Sequence, residues 1–377
     1  MNIYLDNAAT AKQHPAAAQE VAYANENLFY NSAALYKPSL TVKNEIARAG
    51  EIIKRRLART GGGEITFTSG ATESNNIVIL GKVTRKAMGG QSGGHHLLVL
   101  EGEHSSVYAP AKYLRDNGFD VGFVPLNRDG TCDLTALRRL VRHDTALFVF
   151  GLVNSDTGCI QNAAEIVRVV RDRNRGVHIH CDATQGFAKI PFDAVALGID
   201  SVAISAHKIG GPKGVGVLWF SSKLSTIKPL MHGGGQQFLR PGTENTPAIL
   251  GFAKAAEVWD TDVNLAKASQ LHERLIRGLP AGCTVNGINN NPYITNIQLP
   301  SGVLGQTVMN ALAVVGICVG LGSACASAAV KNRTLLAMGI AEARTKQVLR
   351  VSFGINNTSQ DVDTFLAELK KVLGELR

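Results

Sequence analysis

Residues 199-IDSVAISAHKIGGPKGVGVLWF-220 run from one apolar stretch, through a lysine-bearing turn, into a second apolar stretch. Segments 199–204 and 214–220 are short, rich in β-branched residues and bounded by glycine or proline, the pattern of buried strands. Upstream, strand-like runs at 64–67, 96–100, 119–124, 145–153 and 177–182 alternate with helix-like segments at 40–59, 72–88, 105–117, 133–142 and 162–174. Such alternation predicts an α/β fold with one mixed, mostly parallel sheet of seven strands and covering helices. Downstream, a long helical stretch from 246 to about 279 leads into short strands and helices. A last helix, 359–376, sits behind the cap Thr358-Ser359. The expected division is a large domain over 15–250 and a smaller α/β domain made of 1–14 with 251–377.

Composition removes several function classes. The chain has 377 residues, 45% of them hydrophobic and 18% charged, a globular balance rather than a disordered one. No apolar run reaches the roughly 18 residues that span a bilayer: 145–153 is short and 311–322 is broken by glycine. The start, 1-MNIYLDNAATAK-12, lacks the features of a signal peptide. Six cysteines without a C-x-x-C pair fit a reducing cytoplasm better than a disulfide scaffold. The net charge is +9, but the basic residues are dispersed, and Lys54-Arg55-Arg56 with Arg59 shares its helix-like stretch with Glu45 and Glu51. Neither nucleic acid nor membrane is an expected partner.

Nucleotide-binding glycine motifs are absent, and 90-GQSGG-94 follows a helix and precedes a strand, the reverse of a nucleophile elbow. His178-Ile179-His180-Cys181-Asp182 reads as a buried strand ending in one carboxylate, with no zinc-spaced ligand pair beside it. No metal is expected. Four segments at strand ends remain. In 67-FTSGATESNN-76 a strand turns into a helix whose exposed N–H groups form an anion site. In 181-CDATQG-186 an acidic residue emerges from an apolar strand. In 205-SAHKIGGPKG-214, Lys208 follows His207 where a buried ammonium is costly unless paired or neutralised, and Schiff-base chemistry needs that desolvation. In 320-GLGSACAS-327, Cys325 sits in a small-residue loop able to expose a thiol. A lysine, an acidic partner for a pyridinium nitrogen and a phosphate cradle are the parts a pyridoxal phosphate site requires.

These segments, with 4-YLDNAAT-10, 103-EHSSV-107, 153-VNSDTG-158, 233-GGGQ-236, 240-RPGTEN-245 and 350-RVSFG-354, resemble the NifS/IscS-like cysteine desulfurases. These are pyridoxal 5'-phosphate enzymes of fold type I and aminotransferase class V, and the resemblance covers nearly the whole chain. It implies that Lys208 carries the cofactor covalently, with Asp182 on the ring nitrogen and Gln185 near the ring hydroxyl. Ala71, Thr72, Ser205 and His207 would hold the phosphate, joined by Thr243 from the partner subunit of a homodimer. His104 would stack on the ring and move protons, Asn154 would lie beside cofactor or substrate, and Arg350 would clamp the substrate carboxylate. Cys325 would take sulfur from L-cysteine as a persulfide, leave L-alanine, and pass the sulfur to an acceptor protein in iron–sulfur cluster or thiolation pathways. The alternative within the class is a selenocysteine lyase or another class V lyase or aminotransferase.

The chain departs from the family at 31-NSAALY-36, at Gln237-Phe238-Leu239, at Ile355 and in 326-ASAAVKNRTLLAMG-339. None of these departures removes a residue to which the resemblance gives a catalytic role. Cys132, Cys181 and Cys318 are expected to be structural, and Cys159, just after 153-VNSDTG-158, is the other thiol to watch.

Overall fold

The computed structural model describes residues 2–87, 96–221, 227–234, 237–288, 291–322 and 332–376. A short strand, β1 (Ile3–Tyr4), precedes the helices α1 (Pro15–Asn27) and α2 (Lys37–Leu57). The main sheet is built from β2 (Glu64–Thr68), β3 (His96–Leu100), β4 (Asp120–Val124), β5 (Thr145–Gly151), β6 (His178–Asp182), β7 (Ser201–Ser205) and β8 (Gly216–Phe220). Its order is β2-β8-β7-β6-β5-β3-β4, parallel except for β8, which runs antiparallel to both neighbours. These are the seven strands expected, each within two residues of its predicted ends.

The central strands β3, β5, β6, β7 and β8 are buried almost along their whole length, as strands covered on both faces must be. The covering helices are α3 (Ala71–Ala87), α4 (Ser105–Asp116), α5 (Leu134–Leu140) and α6 (Ala163–Arg173), with α7 (Thr246–Val258) packed on α1 and α2. In α2 the buried Val42, Ile46, Ala49, Ile53 and Leu57 recur every three or four residues. Burying each of the larger side chains contributes about 1.5–3 kcal/mol.

The expected helix over 246–279 is two helices. α7 ends at Val258, and Asp260 caps α8 (Thr261–Gly278) by accepting from Val263 N–H at 3.0 Å. The excursion between β6 and β7 consists of turns. Beyond α8, strands β9 (Thr284–Asn286), β10 (Ile294–Gln298) and β12 (Val348–Ser352) form an antiparallel sheet, while β11 (Ile317–Cys318) pairs with β1. Helices α9 (Gly305–Val314), α10 (Arg333–Ala337), α11 (Glu342–Thr345) and α12 (Ser359–Glu375) complete the chain, and Thr358 with Asp361 forms a capping box at α12. A second core joins Leu5, Leu271, Leu275, Ile297, Leu349, Phe365 and Leu369. No helix among the described residues is long and apolar enough to cross a membrane.

Candidate active site

The carboxyl ends of β5, β6 and β7 and the first turn of α3 meet at one edge of the sheet, where open α/β sheets place their ligands. The backbones crowd together there: a Cβ on Gly216 would lie 2.6 Å from the Gly70 Cα, so only glycine lets β8 pass the turn into α3. A cleft of about 380 Å³ opens at this edge. Ala71, Thr72, His104, Asn154, Asp182, Gln185, Ser205, His207, Lys208 and Arg350 all line it. Thr243 does not line this cleft and is exposed. Cys325, like 90-GQSGG-94, lies outside the described residues, but Gly322, three positions before it, lines the cleft.

Lys208 is carried just past β7, in a 3-10 turn over Ala206–Ile209. Its Nζ donates to the carbonyls of Ala8 and Ala9 at 2.6 and 2.7 Å. Burial, reinforced by Arg350, lowers its pKa from 10.5 to about 8 despite the opposing pull of Asp182 and Asp6. The uncharged amine, able to attack a carbonyl, is therefore far more populated near neutral pH than in an ordinary lysine. Lys213 is exposed. Asp182, ending the adjacent β6, accepts from Thr184 N–H at 3.0 Å and from Asn75 Nδ2 at 2.8 Å. Gln185 donates from Nε2 to Ala8 O, while its Oε1 accepts from the buried Lys189 at 3.3 Å.

At the other end, Ser205 Oγ accepts the Ala71 N–H of α3 at 2.7 Å, and His207 Nδ1 lies 3.1 Å from Thr10 Oγ1. Burial first, and then Lys208, Lys189 and Lys213, push His207 down to about 4. Burial also lowers His104, which caps α4 by accepting from Ser106 N–H. Asn154 borders the cleft, but its Oδ1 accepts from Asp156 N–H and Thr157 N–H and its Nδ2 donates to Gly102 O, so it shapes the wall. Arg350 donates from Nη1 to Ser155 O and from Nη2 to Asp6, and its buried Nε has no partner among the described residues.

Some lining residues had no assigned role in the sequence reading. Asp6, Glu103, Ser106 and Thr184 all border the cleft, and Asn75 lies directly behind Asp182. Glu103 is fully buried, accepts from Gly151 N–H at 2.7 Å, and is pushed up to about 8 by burial. Cys159 is no candidate nucleophile: burial pushes its thiol up to about 12. Cys132 and Cys181 are buried as expected, and Cys318 is partly buried in β11. His178 and His180 both bond Ser201 Oγ, at 2.7 and 2.8 Å, rather than converging on a metal position.

The residues present fit pyridoxal phosphate. An anion end is formed by the α3 N-terminus with Thr72, Ser205 and His207. The desolvated Lys208 faces the same cavity as Asp182, and the Thr184 hydroxyl on its wall is buried with no partner among the described residues.

A family model described as aminotransferase class-V matches residues 3–365. Cysteine desulfurase IscS 1 of Archaeoglobus fulgidus is 35% identical over 358 residues, covering 93% of this chain and 91% of the relative. Cysteine desulfurase IscS of Clostridium botulinum is 32% identical over 387 aligned positions, covering 100% and 95%. A solved NifS-like protein superposes with a TM-score of 0.89 at 30% identity, over the full length of both chains. Sheet, cleft and matches together define a fold type I enzyme of the pyridoxal-phosphate class. The chain belongs to the class-V aminotransferase family, among its cysteine desulfurases.

Proposed function

We propose that the protein converts L-cysteine to L-alanine, holds pyridoxal 5'-phosphate in the cleft, and carries the sulfur away on Cys325. The observation that carries this is Lys208, an amine held near pKa 8 on the strand end next to that of Asp182. Ala71, Thr72, Ser205 and His207 would hold the phosphate, with Thr243 of a second subunit. Asp182 would face the ring nitrogen, Gln185 the ring hydroxyl and His104 the ring plane. When bound, the cofactor supplies an electron-withdrawing system that makes the substrate α-proton removable.

The chain's own residues do the rest. Arg350, which lines the cleft, orients the substrate through its carboxylate, a role suited to a planar guanidinium fork. Lys208 removes the proton at the substrate α-carbon and returns one to the product. Cys325 thiolate attacks the substrate sulfur: a sulfur–sulfur bond forms and the bond from β-carbon to sulfur breaks. L-cysteine and a thiol thus become L-alanine and a persulfide, with no external oxidant. Gly322, three positions before Cys325 in the sequence, borders the cleft.

Residues 15–250 would carry the cofactor, and 1–14 with 251–377 would bring Arg350 and Cys325 to it. A homodimer is supported by one surface: Phe29, Leu35, Tyr36 and Phe238 are exposed, and Ser32 bonds Glu244 at 2.9 Å, which joins that surface to the segment carrying Thr243. The persulfide would pass to an acceptor protein in the cytoplasm. The test is alanine release from L-cysteine by wild type and Cys325→Ser: wild type should release alanine, and the variant almost none. Equal release by the two would refute transfer through Cys325.

A further inference from the structure

Behind Asp182, a line of buried polar side chains runs away from the cleft: Asn75, His180, Ser201 and His178. We infer that Asn75 is a positioning residue whose amide orients both Asp182 and His104, and that its own direction is set by the His180–Ser201–His178 line. The functional part of this rests on the proposed cofactor, since Asp182 is then the group facing the ring nitrogen.

The proton positions follow by elimination. Both oxygens of Asp182 accept, so the Asn75 atom 2.8 Å from Oδ2 has to be the donor; an amide oxygen there would face a carboxylate oxygen with no proton between them. The Asn75 oxygen then faces His180 Nε2 at 2.9 Å, and that nitrogen has to be N–H. Burial, with His178 nearby, pushes His180 down to about 3, so the ring is neutral and its Nδ1 is bare. That nitrogen accepts the Ser201 hydroxyl proton across 2.8 Å. A hydroxyl has one proton, so His178 Nε2, 2.7 Å away, donates to the Ser201 oxygen.

A second arm starts from the same amide. Asn75 Nδ2 also donates to Ser106 Oγ at 2.9 Å. His104 Nδ1 accepts from Ser106 N–H at 3.2 Å, so it carries no proton, and the Ser106 hydroxyl donates to it at 2.9 Å. Neutral His104 therefore holds its proton on Nε2. Every N–H and O–H along both arms points toward the cleft, and donors aligned in a buried chain reinforce one another. Donation to Asp182 fixes the direction of its carboxylate, which would then face the ring nitrogen of the proposed cofactor.

The test is long-range ¹H–¹⁵N NMR on ¹⁵N-histidine-labelled holoenzyme at pH 7, paired with ¹⁵N-labelled pyridoxal phosphate in wild type and Asn75→Ala. Nε2–H tautomers are expected for His104 and His180, and a proton on Nε2 of His178. In Asn75→Ala the ring-nitrogen signal should move toward its unprotonated position, and kcat should fall at least about tenfold, the scale of one hydrogen bond to a charged group. A proton on Nδ1 of His180 or of His104, or an unmoved ring signal in the variant, overturns the inference. The wild-type tautomers decide the two arms even if Asn75→Ala fails to fold. A protein that purifies without pyridoxal phosphate would refute the cofactor assignment alone, because the tautomers need no cofactor.

Discussion

The Arg350 guanidinium lies 2.7 Å from the Asp6 carboxylate across the wall of the cleft, with the arginine side chain 5% exposed and the aspartate 21%. A group expected to clamp a substrate carboxylate is thus already aimed by one carboxylate, from the first strand–turn of the chain. The planar fork lets Nη2 stay on Asp6 while Nη1 donates to Ser155 O, which a point-charge ammonium cannot reproduce. Arg350→Lys should raise KM for cysteine by roughly 10- to 100-fold, the equivalent of one charged hydrogen bond, with a smaller effect on kcat. Steady-state kinetics checks this, and an unchanged KM would remove Arg350 from substrate binding.

Lys208 is the second prediction. Lys208→Ala should purify without covalently held cofactor, and borohydride reduction should trap none, while Lys213→Ala behaves as wild type. In cofactor-free protein, acylation of Lys208 by an amine-reactive reagent should rise with pH around a midpoint near 8, because burial lowers the amine from 10.5. Peptide mapping of the labelled lysine measures it. A midpoint close to 10.5 would mean that Lys208 is not desolvated.

Glu103 gives a stability prediction with a definite sign. Burial raises its carboxyl from 4.5 to about 8, so between those values the folded state keeps a proton that the unfolded state has released. Its contribution is fully present below about pH 4.5 and is lost as the pH rises through about 8. Glu103→Gln cannot ionise, so its stability relative to wild type should improve from pH 5 to pH 8, by on the order of a few kcal/mol, and level off above that. Urea midpoints at the two pH values test this, and parallel shifts in both proteins would contradict it. Gly151→Ala should disturb the same carboxyl, since the added Cβ would lie 2.6 Å from Glu103 Oε2.

Much of this was legible in the sequence because the central strands are buried on both faces and read as short apolar runs. The segment 96–100 matches β3 residue for residue, and Asp182 and Ser205 stand as the last residues of β6 and β7. Helix α1 was missed: its buried positions are Ala17 and Ala24, too small and too few to make an apolar stripe. The break between α7 and α8 turns on one cap, Asp260, inside an otherwise continuous helical pattern. Asn75 stood in the quoted turn 67–76, but its partners His180 and Asp182 are more than 100 residues away, and no local spacing links them. The pairing of Asp6 with Arg350 spans 344 residues and was hidden for the same reason.

On the proposed route, sulfur leaves cysteine through Cys325 and through no other thiol. The most direct measurement is mass spectrometry of the wild-type holoenzyme after brief incubation with L-cysteine, alkylation and peptide mapping. A mass gain of one sulfur on the peptide containing Cys325, with alanine formed in equal amount, is the predicted result. A persulfide on the peptide containing Cys159, or alanine released while Cys325 stays unmodified, would contradict it.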